Sequence, residues 1–265
     1  MRIEKYNQKL LTIIGTLILI SLVISIFMII ELAISDFFRQ KNYEEGILSN
    51  EKVEKLQKKN KRKQVISYES PQLIDTLNTI YIVPVSYANL EKIEDIETLN
   101  LLSSKNDDSR YARNYYGRFN NVIIYRPTTN KVKKIFNDRI NFNEINIEYF
   151  PNDIFLIFKV ADADTNNDGV INLQDYKSIY IYSLSEKKLD KISVENADAH
   201  SYKFINNSKN LIIRFGIDKN KNGSFEASNE PIIIRQYNYQ TKKLIDFIGK
   251  NINDIMQKTL EGSIK

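Results

Sequence analysis

The chain has 265 residues, 42% of them hydrophobic, and a formal net charge of +5. That length suits one or two domains with an ordinary core, and so small a charge gives no ground for nucleic-acid binding. The sequence contains no cysteine, which excludes disulfides, zinc–thiolate sites and thiol catalysis.

Residues 1–9, with Arg2, Lys5 and Lys9, read as a cytoplasmic tail. Residues 10–30 then run for 21 positions without a charge. As a helix such a run spans about 31 Å, the thickness of a bilayer's hydrocarbon core, so a single transmembrane helix is expected over 10–34. A cleaved signal peptide is the rival, because Ala33, Ile34 and Ser35 precede Asp36 as a cleavage site would require, but the apolar run is longer than a usual h-region. Basic residues before the span and Glu31 and Asp36 after it place the N-terminus in the cytoplasm. The rest of the chain is then expected outside, on the periplasmic side of an inner or plasma membrane. Residues 35–66 are charged and poor in Gly and Pro, and predict a helical stalk that frays into a linker. Within them, residues 52–63 hold seven basic side chains in twelve, either a solvated helix face or a contact for anionic lipid.

From 67 to 250 the pattern is that of an all-β domain, an antiparallel meander built from repeated hairpins. Four strand–turn–strand segments occupy 79–93, 122–136, 178–192 and 232–247, and their starts at Thr79, Val122, Ser178 and Ile232 are 43, 56 and 54 residues apart. Apolar strands at 154–160 and 210–217 lead into the last two. Residues 251–265 predict a short final helix whose Ile252, Ile255, Met256 and Leu260 share one face and pack on the sheet. In the stretch 111–119, Tyr111, Tyr115, Tyr116 and Phe119 alternate with Arg113 and Arg118, which suits either stacking on a ligand or an inter-strand segment tucked into the core.

The sharpest signal lies between those lead-in strands and their hairpins. Residues 164–175 place oxygen-bearing side chains at positions 1, 3, 5, 9 and 12 of a twelve-residue calcium loop: Asp164, Asn166, Asp168, Asn172 and Asp175. Gly169 stands at position 6, where the chain turns around the ion, and the Val170 carbonyl at position 7 completes the oxygen set. A second copy begins 54 residues later, with Asp218, Asn220, Asn222, Ser224 and Glu226 at positions 1, 3, 5, 7 and 9. Its position 12 is Asn229, and the nearest carboxylate, Glu230, falls one residue late. Ca2+ is the expected cofactor, with the first loop the tighter site because it carries more carboxylates at positions 1, 5 and 12. Asn, Asp and Gly also build tight turns without any metal, and that alternative stays open for both loops.

The first loop resembles that of EF-hand proteins and, with Asp at position 12, the dockerin variety. Both families place a helix after the loop, whereas 176–183 here is rich in aromatic and β-branched residues and reads as strand. A closer analogy is the calcium loop set in a β-hairpin of a propeller blade, as in integrin α-chains. The repeated units likewise resemble blades of WD40-like and periplasmic β-propellers, which implies propeller-like hairpin repeats with inserted calcium loops behind one N-terminal membrane helix. A four-bladed ring, an open partial propeller and a plain meander or sandwich all fit the count.

Catalytic chemistry is sparse. His200 is the single histidine, and with Asp198 and Ser201 it reads as a surface connection rather than a triad. The expected function is a membrane-anchored, calcium-stabilised binding or scaffolding module with a protein partner, not an enzyme. The alternative is a membrane-bound metal-dependent hydrolase.

Overall fold

The computed structural model describes residues 46–59, 64–89, 113–206 and 208–262, with scattered positions between 14 and 28. The chain divides into two units, 1–45 and 46–265. Much of the span expected at 10–34 lies outside the described residues. Its described members, including Ile14, Ile18, Leu19, Leu22, Ile26 and Met28, are helical, and these apolar side chains are exposed. Ser25 donates to the Ser21 carbonyl at 2.9 Å, the back-bond by which a hydroxyl is satisfied within an apolar helix. Among the described residues no helix is long and apolar enough to cross a membrane.

In the second unit three short elements come first: β1 (Ile47–Leu48), α1 (Asn50–Gln57) and β2 (Gln64–Tyr68). Three successive meanders of four antiparallel strands follow. The first is β3 (Gln72–Asp75), β4 (Ile80–Asn89), β5 (Asn114–Arg126) and β6 (Lys131–Lys134), each strand paired to the one before. The second is β7 (Phe142–Phe150), β8 (Asp153–Ala161), then β10 (Lys177–Ser183) and β11 (Lys188–Ile192), with the two-residue β9 (Val170–Ile171) inside the β8–β10 connection. The third is β12 (Ala197–Phe204), β13 (Leu211–Ile217), β14 (Ile232–Asn238) and β15 (Lys243–Asp246). A helix, α2 (Lys250–Leu260), ends the described chain.

The first half of β5 also pairs with β7, joining the first two meanders and β2 into one nine-stranded sheet; the third meander is a separate four-stranded sheet. The turn before each fourth strand is the same: Asn130, Lys187 and Lys242 all adopt left-handed backbone, with φ of 49°, 56° and 56°. Three matching αL residues at one point of each meander mark a true structural repeat, since lysine rarely adopts that conformation.

Two cores lie on opposite faces of the second meander. Leu156, Phe158 and Val160 pack with Ile82, Val122 and Ile124 of the first. Phe155 and Ile157, alternating with them along β8, pack with Leu211, Ile213 and Phe215 of the third. Because successive strand residues point to opposite faces, a strand buried on both must be apolar throughout, which is why 154–158 shows no alternation.

The hairpins beginning at Thr79 and Val122 are not two units but halves of one meander, with Tyr81 opposite Tyr125, so the spacing of 43 is internal to a unit and only the spacings of 56 and 54 lie close to the structural repeat. The return strand expected near 90–93 lies outside the described residues. The stalk at 35–66 is not continuous helix where described: Ile47 and Leu48 are buried in β1, α1 spans only 50–57, and β2 pairs with β4. The final helix forms, but Ile252, Ile255, Met256 and Leu260 are exposed rather than packed on the sheet.

The second and third meanders are also joined by charge. Buried Asp153, at the start of β8, accepts hydrogen bonds from Ser183 Oγ at 2.7 Å, the Ser185 amide at 3.0 Å and Lys209 Nζ at 2.9 Å, the lysine coming from the β12–β13 turn. The same ammonium lies 4.7 Å from the centre of the Phe155 ring. Burial alone would raise the Asp153 carboxyl, but the bonds from Ser183, Lys209 and Ser185 outweigh it and hold the group below its usual range. A depressed folded pKa contributes stability above the unfolded value, about 3.9, that is lost as pH falls through the folded value. Asp153→Asn is therefore expected to cost about 2 kcal/mol at pH 7 in urea unfolding, with the gap from wild type closing as the pH falls below about 4.

Candidate metal centre

The two calcium-like loops occupy equivalent places, one between β8 and β10 and the other between β13 and β14. Their backbones match. Position 4 is left-handed in both, Asn167 at φ 58° and Lys221 at φ 60°, and the glycines at position 6 have φ of 88° at Gly169 and 81° at Gly223.

Their hydrogen bonds match as well. At position 1, Asp164 Oδ2 accepts the Gly169 amide and Asp218 Oδ2 accepts the Gly223 amide, both at 2.9 Å. At position 3, Asn166 accepts the Asp168 amide at 3.0 Å and Asn220 the Asn222 amide at 2.9 Å. At position 5, Asp168 accepts from Val170 at 2.8 Å and Asn222 from Ser224 at 2.9 Å. The first loop is closed by a fully buried Asp175, which accepts the amides of Thr165 at 2.7 Å, Asn166 at 3.2 Å and Asn172 at 2.8 Å.

Glu230 does the same work in the second loop. It accepts from Lys219 at 2.7 Å, Asn220 at 3.4 Å and Glu226 at 2.9 Å, the equivalent three amides. The last turn there is wound one residue further, with both the Asn229 and Glu230 amides bonded to the Glu226 carbonyl at 3.0 Å. The extra methylene of glutamate reaches back across the added residue. A template that fixes the closing acid at position 12 misses this; the paired shift of one residue and one methylene is the signal that finds it. Glu226 itself is exposed and accepts the Asn229 side-chain amide at 3.0 Å.

The loops also touch each other. Thr165 Oγ1 donates to the Gly223 carbonyl at 2.5 Å, Asp175 and Ser224 form an isolated β-bridge, and the Tyr176 hydroxyl donates to Asp218. Burial and the adjoining Asp218 push the Tyr176 hydroxyl well above its ordinary range. Burial pushes the Asp175 carboxyl up despite the amides that oppose it. At Asp218 burial acts in the same direction, but the Tyr176 hydroxyl and the amides of Gly223 and Lys221 prevail and hold it low.

On its other side the first loop is held by the segment before the meanders, for which the sequence carries no signal. Leu48 pairs with Val170, the Ser49 amide donates to the Gly169 carbonyl at 2.9 Å, and Lys52 Nζ reaches the Asp168 carbonyl at 3.2 Å. Buried Asn141 donates to the Ile171 carbonyl at 3.0 Å.

Among the described residues no three acidic or imidazole side chains converge as a metal site would require. Asp164, Asp168 and Asp175 each face backbone amides instead. One oxygen is left over: Asp164 Oδ1, at position 1, is buried and has no hydrogen-bond donor. A buried carboxylate oxygen without a donor costs free energy, and a cation at the loop would satisfy it, so the donor set fits a hard, oxygen-seeking ion. The neighbouring residues differ from expectation. Asp198 and His200 lie in β12 rather than a surface connection, with Asp198 buried against Lys177 at 2.8 Å and the His200 ring edge-on to Phe225 at 5.6 Å. Of the aromatic stretch at 111–119, Phe119 is in the core and Tyr115 packs against it, while Tyr116 is exposed and Tyr111 lies outside the described residues.

No protein-family model matches this chain, and no curated protein matches its sequence.

The glycines give a direct test of the loop contact. A Cβ on Gly223 would overlap the backbone of Thr165 in the other loop, whereas one on Gly169 meets only the flexible end of Lys52. Both positions carry positive φ, so Gly169→Ala should cost about 1 kcal/mol from strain alone. Gly223→Ala should cost about 2–3 kcal/mol, because rigid backbone must also move. Chemical denaturation of the two variants checks the order.

Proposed function

We propose that this chain is a membrane-anchored, calcium-binding β-domain, acting outside the cytoplasm as a binding or scaffolding module whose calcium is structural. Residues 10–34 are the anchor, and the three meanders are propeller-type units. The observation that carries the proposal is the shared frame of the two loops, closed by Asp175 and by Glu230 on equivalent amides. Two segments that share oxygen side chains at positions 1, 3 and 5 and glycine at 6, and differ where the loop closes, keep one backbone course and one pattern of acceptors. The bonds at positions 3 and 5 are those of Asx turns; the position-1 carboxylate bonded to the glycine amide and the closing carboxylate on three amides go beyond them, and a common ligand accounts for these.

The oxygen donors would come from Asp164, Asn166, Asp168, Val170, Asn172 and Asp175 in the first loop. In the second they would come from Asp218, Asn220, Asn222, Ser224, Glu226 and Glu230. Bound there, Ca2+ supplies positive charge to carboxylates gathered at the ends of two adjacent meanders. Strands flank both loops, and a calcium switch of the EF-hand kind needs helices that move, so the ion acts as a brace. A loop that fills its own coordination sphere leaves no open position for a substrate, which favours binding over catalysis.

An ion that binds only the folded state stabilises it by about 2.7 kcal/mol at a hundredfold excess over its dissociation constant. For a domain of this size that corresponds to about 5–10 °C. Chelating calcium from the full chain in detergent should lower its melting temperature by that amount and leave its far-ultraviolet spectrum at room temperature unchanged. An unaltered melting temperature would make both loops ordinary turns.

A further inference from the structure

The strand pairings show that the third meander repeats the second 55 residues on. Ala161 pairs with Lys177 as Gly216 pairs with Ile232, and Ile157 pairs with Ile181 as Ile212 pairs with Gln236. In this register Leu156, Phe158 and Val160, which face the first meander, correspond to Leu211, Ile213 and Phe215, which face the second. Each unit therefore turns the same side towards its predecessor, and the stack has a direction.

The opposite side behaves accordingly. On the second meander Ile157, Ile179 and Ile192 are buried under the third, Ile192 retaining only 3% of its exposure. Their equivalents on the third are Ile212, Ile234 and Phe247, the last bonded through its amide to the Ile234 carbonyl. None of these three belongs to a core cluster, and Phe247 is 50% exposed. The basic residue is repeated too. Lys159 reaches across to the His200 carbonyl of the third meander at 3.3 Å, and its equivalent, Arg214, is exposed. Ile181 and Phe155, buried in the same core, correspond to Gln236 and Asn210, so the third meander ends in a mixed face, apolar at Ile212, Ile234 and Phe247 and polar beside them.

The complementary side, the one a unit turns towards its predecessor, lies outside both cores on the first meander among the described residues, half-buried along β3, β4 and β5 and exposed at Val132. There Leu73, Tyr81, Val83, Ile123, Tyr125 and Val132 share the face opposite the core through the pairs Leu73–Tyr81, Tyr81–Tyr125, Val83–Ile123 and Tyr125–Val132. They too belong to no core cluster, and Val132 is 65% exposed.

We propose that a second copy of this chain covers both faces: the third meander of each copy stacks on the first meander of the other, closing a ring of six units. A head-to-tail interface either closes or grows without limit, and two copies close it. Closed rings of four-stranded units number about four to eight, so three fall short and six fit. Packing of one face on the next is already used twice within the chain, the first junction sharing the β5–β7 ladder as well, and it does not depend on whether the loops hold calcium.

The absence of native cysteine makes a clean experiment possible. Ile234→Cys and Ile123→Cys variants of the full chain in detergent are mixed, allowed to exchange, and treated with a short bismaleimide. Cross-linked dimers should form between unlike variants and not between like ones, and light scattering on wild type should give twice the chain mass. As a second measurement, Phe247→Arg should reduce that mass to one chain while retaining the wild-type far-ultraviolet spectrum. Single-chain mass for wild type, cross-links between like variants, or open-ended assemblies would each overturn the proposal. So would a single chain whose Ile234→Cys thiol resists modification, since another segment of the same chain would then cover the face.

Discussion

The fold depends on the second meander being buried on both faces. Its strand β8 carries five consecutive apolar residues from Ile154 to Phe158, and β10 continues the pattern with Ile179 and Ile181 on one face and Tyr180 and Tyr182 on the other. At roughly 1.5–3 kcal/mol for each large side chain fully buried, these positions weigh heavily in a domain whose net stability is about 5–15 kcal/mol. Among the described residues the outer meanders each contribute one face to a core. Remove the middle layer and the other two have nothing to stack on.

The loops inherit their position from that stack. Each interrupts its meander at the same point, between the second and third strands, and stacking neighbouring meanders brings the loop ends together. Thr165 and Tyr176 of the first loop then meet Gly223 and Asp218 of the second. The link is tight enough that the glycine has no room for a side chain. Whatever fixes one loop is therefore felt at the other, and the short strap at 46–49 ties the first loop back to the beginning of the domain.

Much of this was legible in the sequence. The oxygen spacing at 164–175, the strands around it and the all-β character follow from residue type and period, because a loop template and a two-residue alternation are local. What failed was non-local. The hairpins at Thr79 and Val122 look like separate units until Tyr81 is seen opposite Tyr125, across a long intervening segment. Ile47 and Leu48 form too short a strand to register as a period, and only their pairing with Val170 and Ile171 explains their burial. Glu230 lies one residue late for a twelve-residue template, and only the structure shows its longer side chain reaching the amides equivalent to those that Asp175 takes. The exposed face of α2 marks the limit of periodicity, which identifies an apolar stripe and not what it meets.

Two loops that close differently, one on Asp175 and one on Glu230 a residue later, are proposed to form a pair of equivalent calcium sites. The most direct test is calorimetric titration of the full-length chain with calcium, read for stoichiometry. Two ions per chain is the expected result, because Glu230 gives the second loop the same closing carboxylate as the first. A stoichiometry of one would show that matching frames do not make matching sites, and the absence of any binding heat across temperatures would contradict the account at its base.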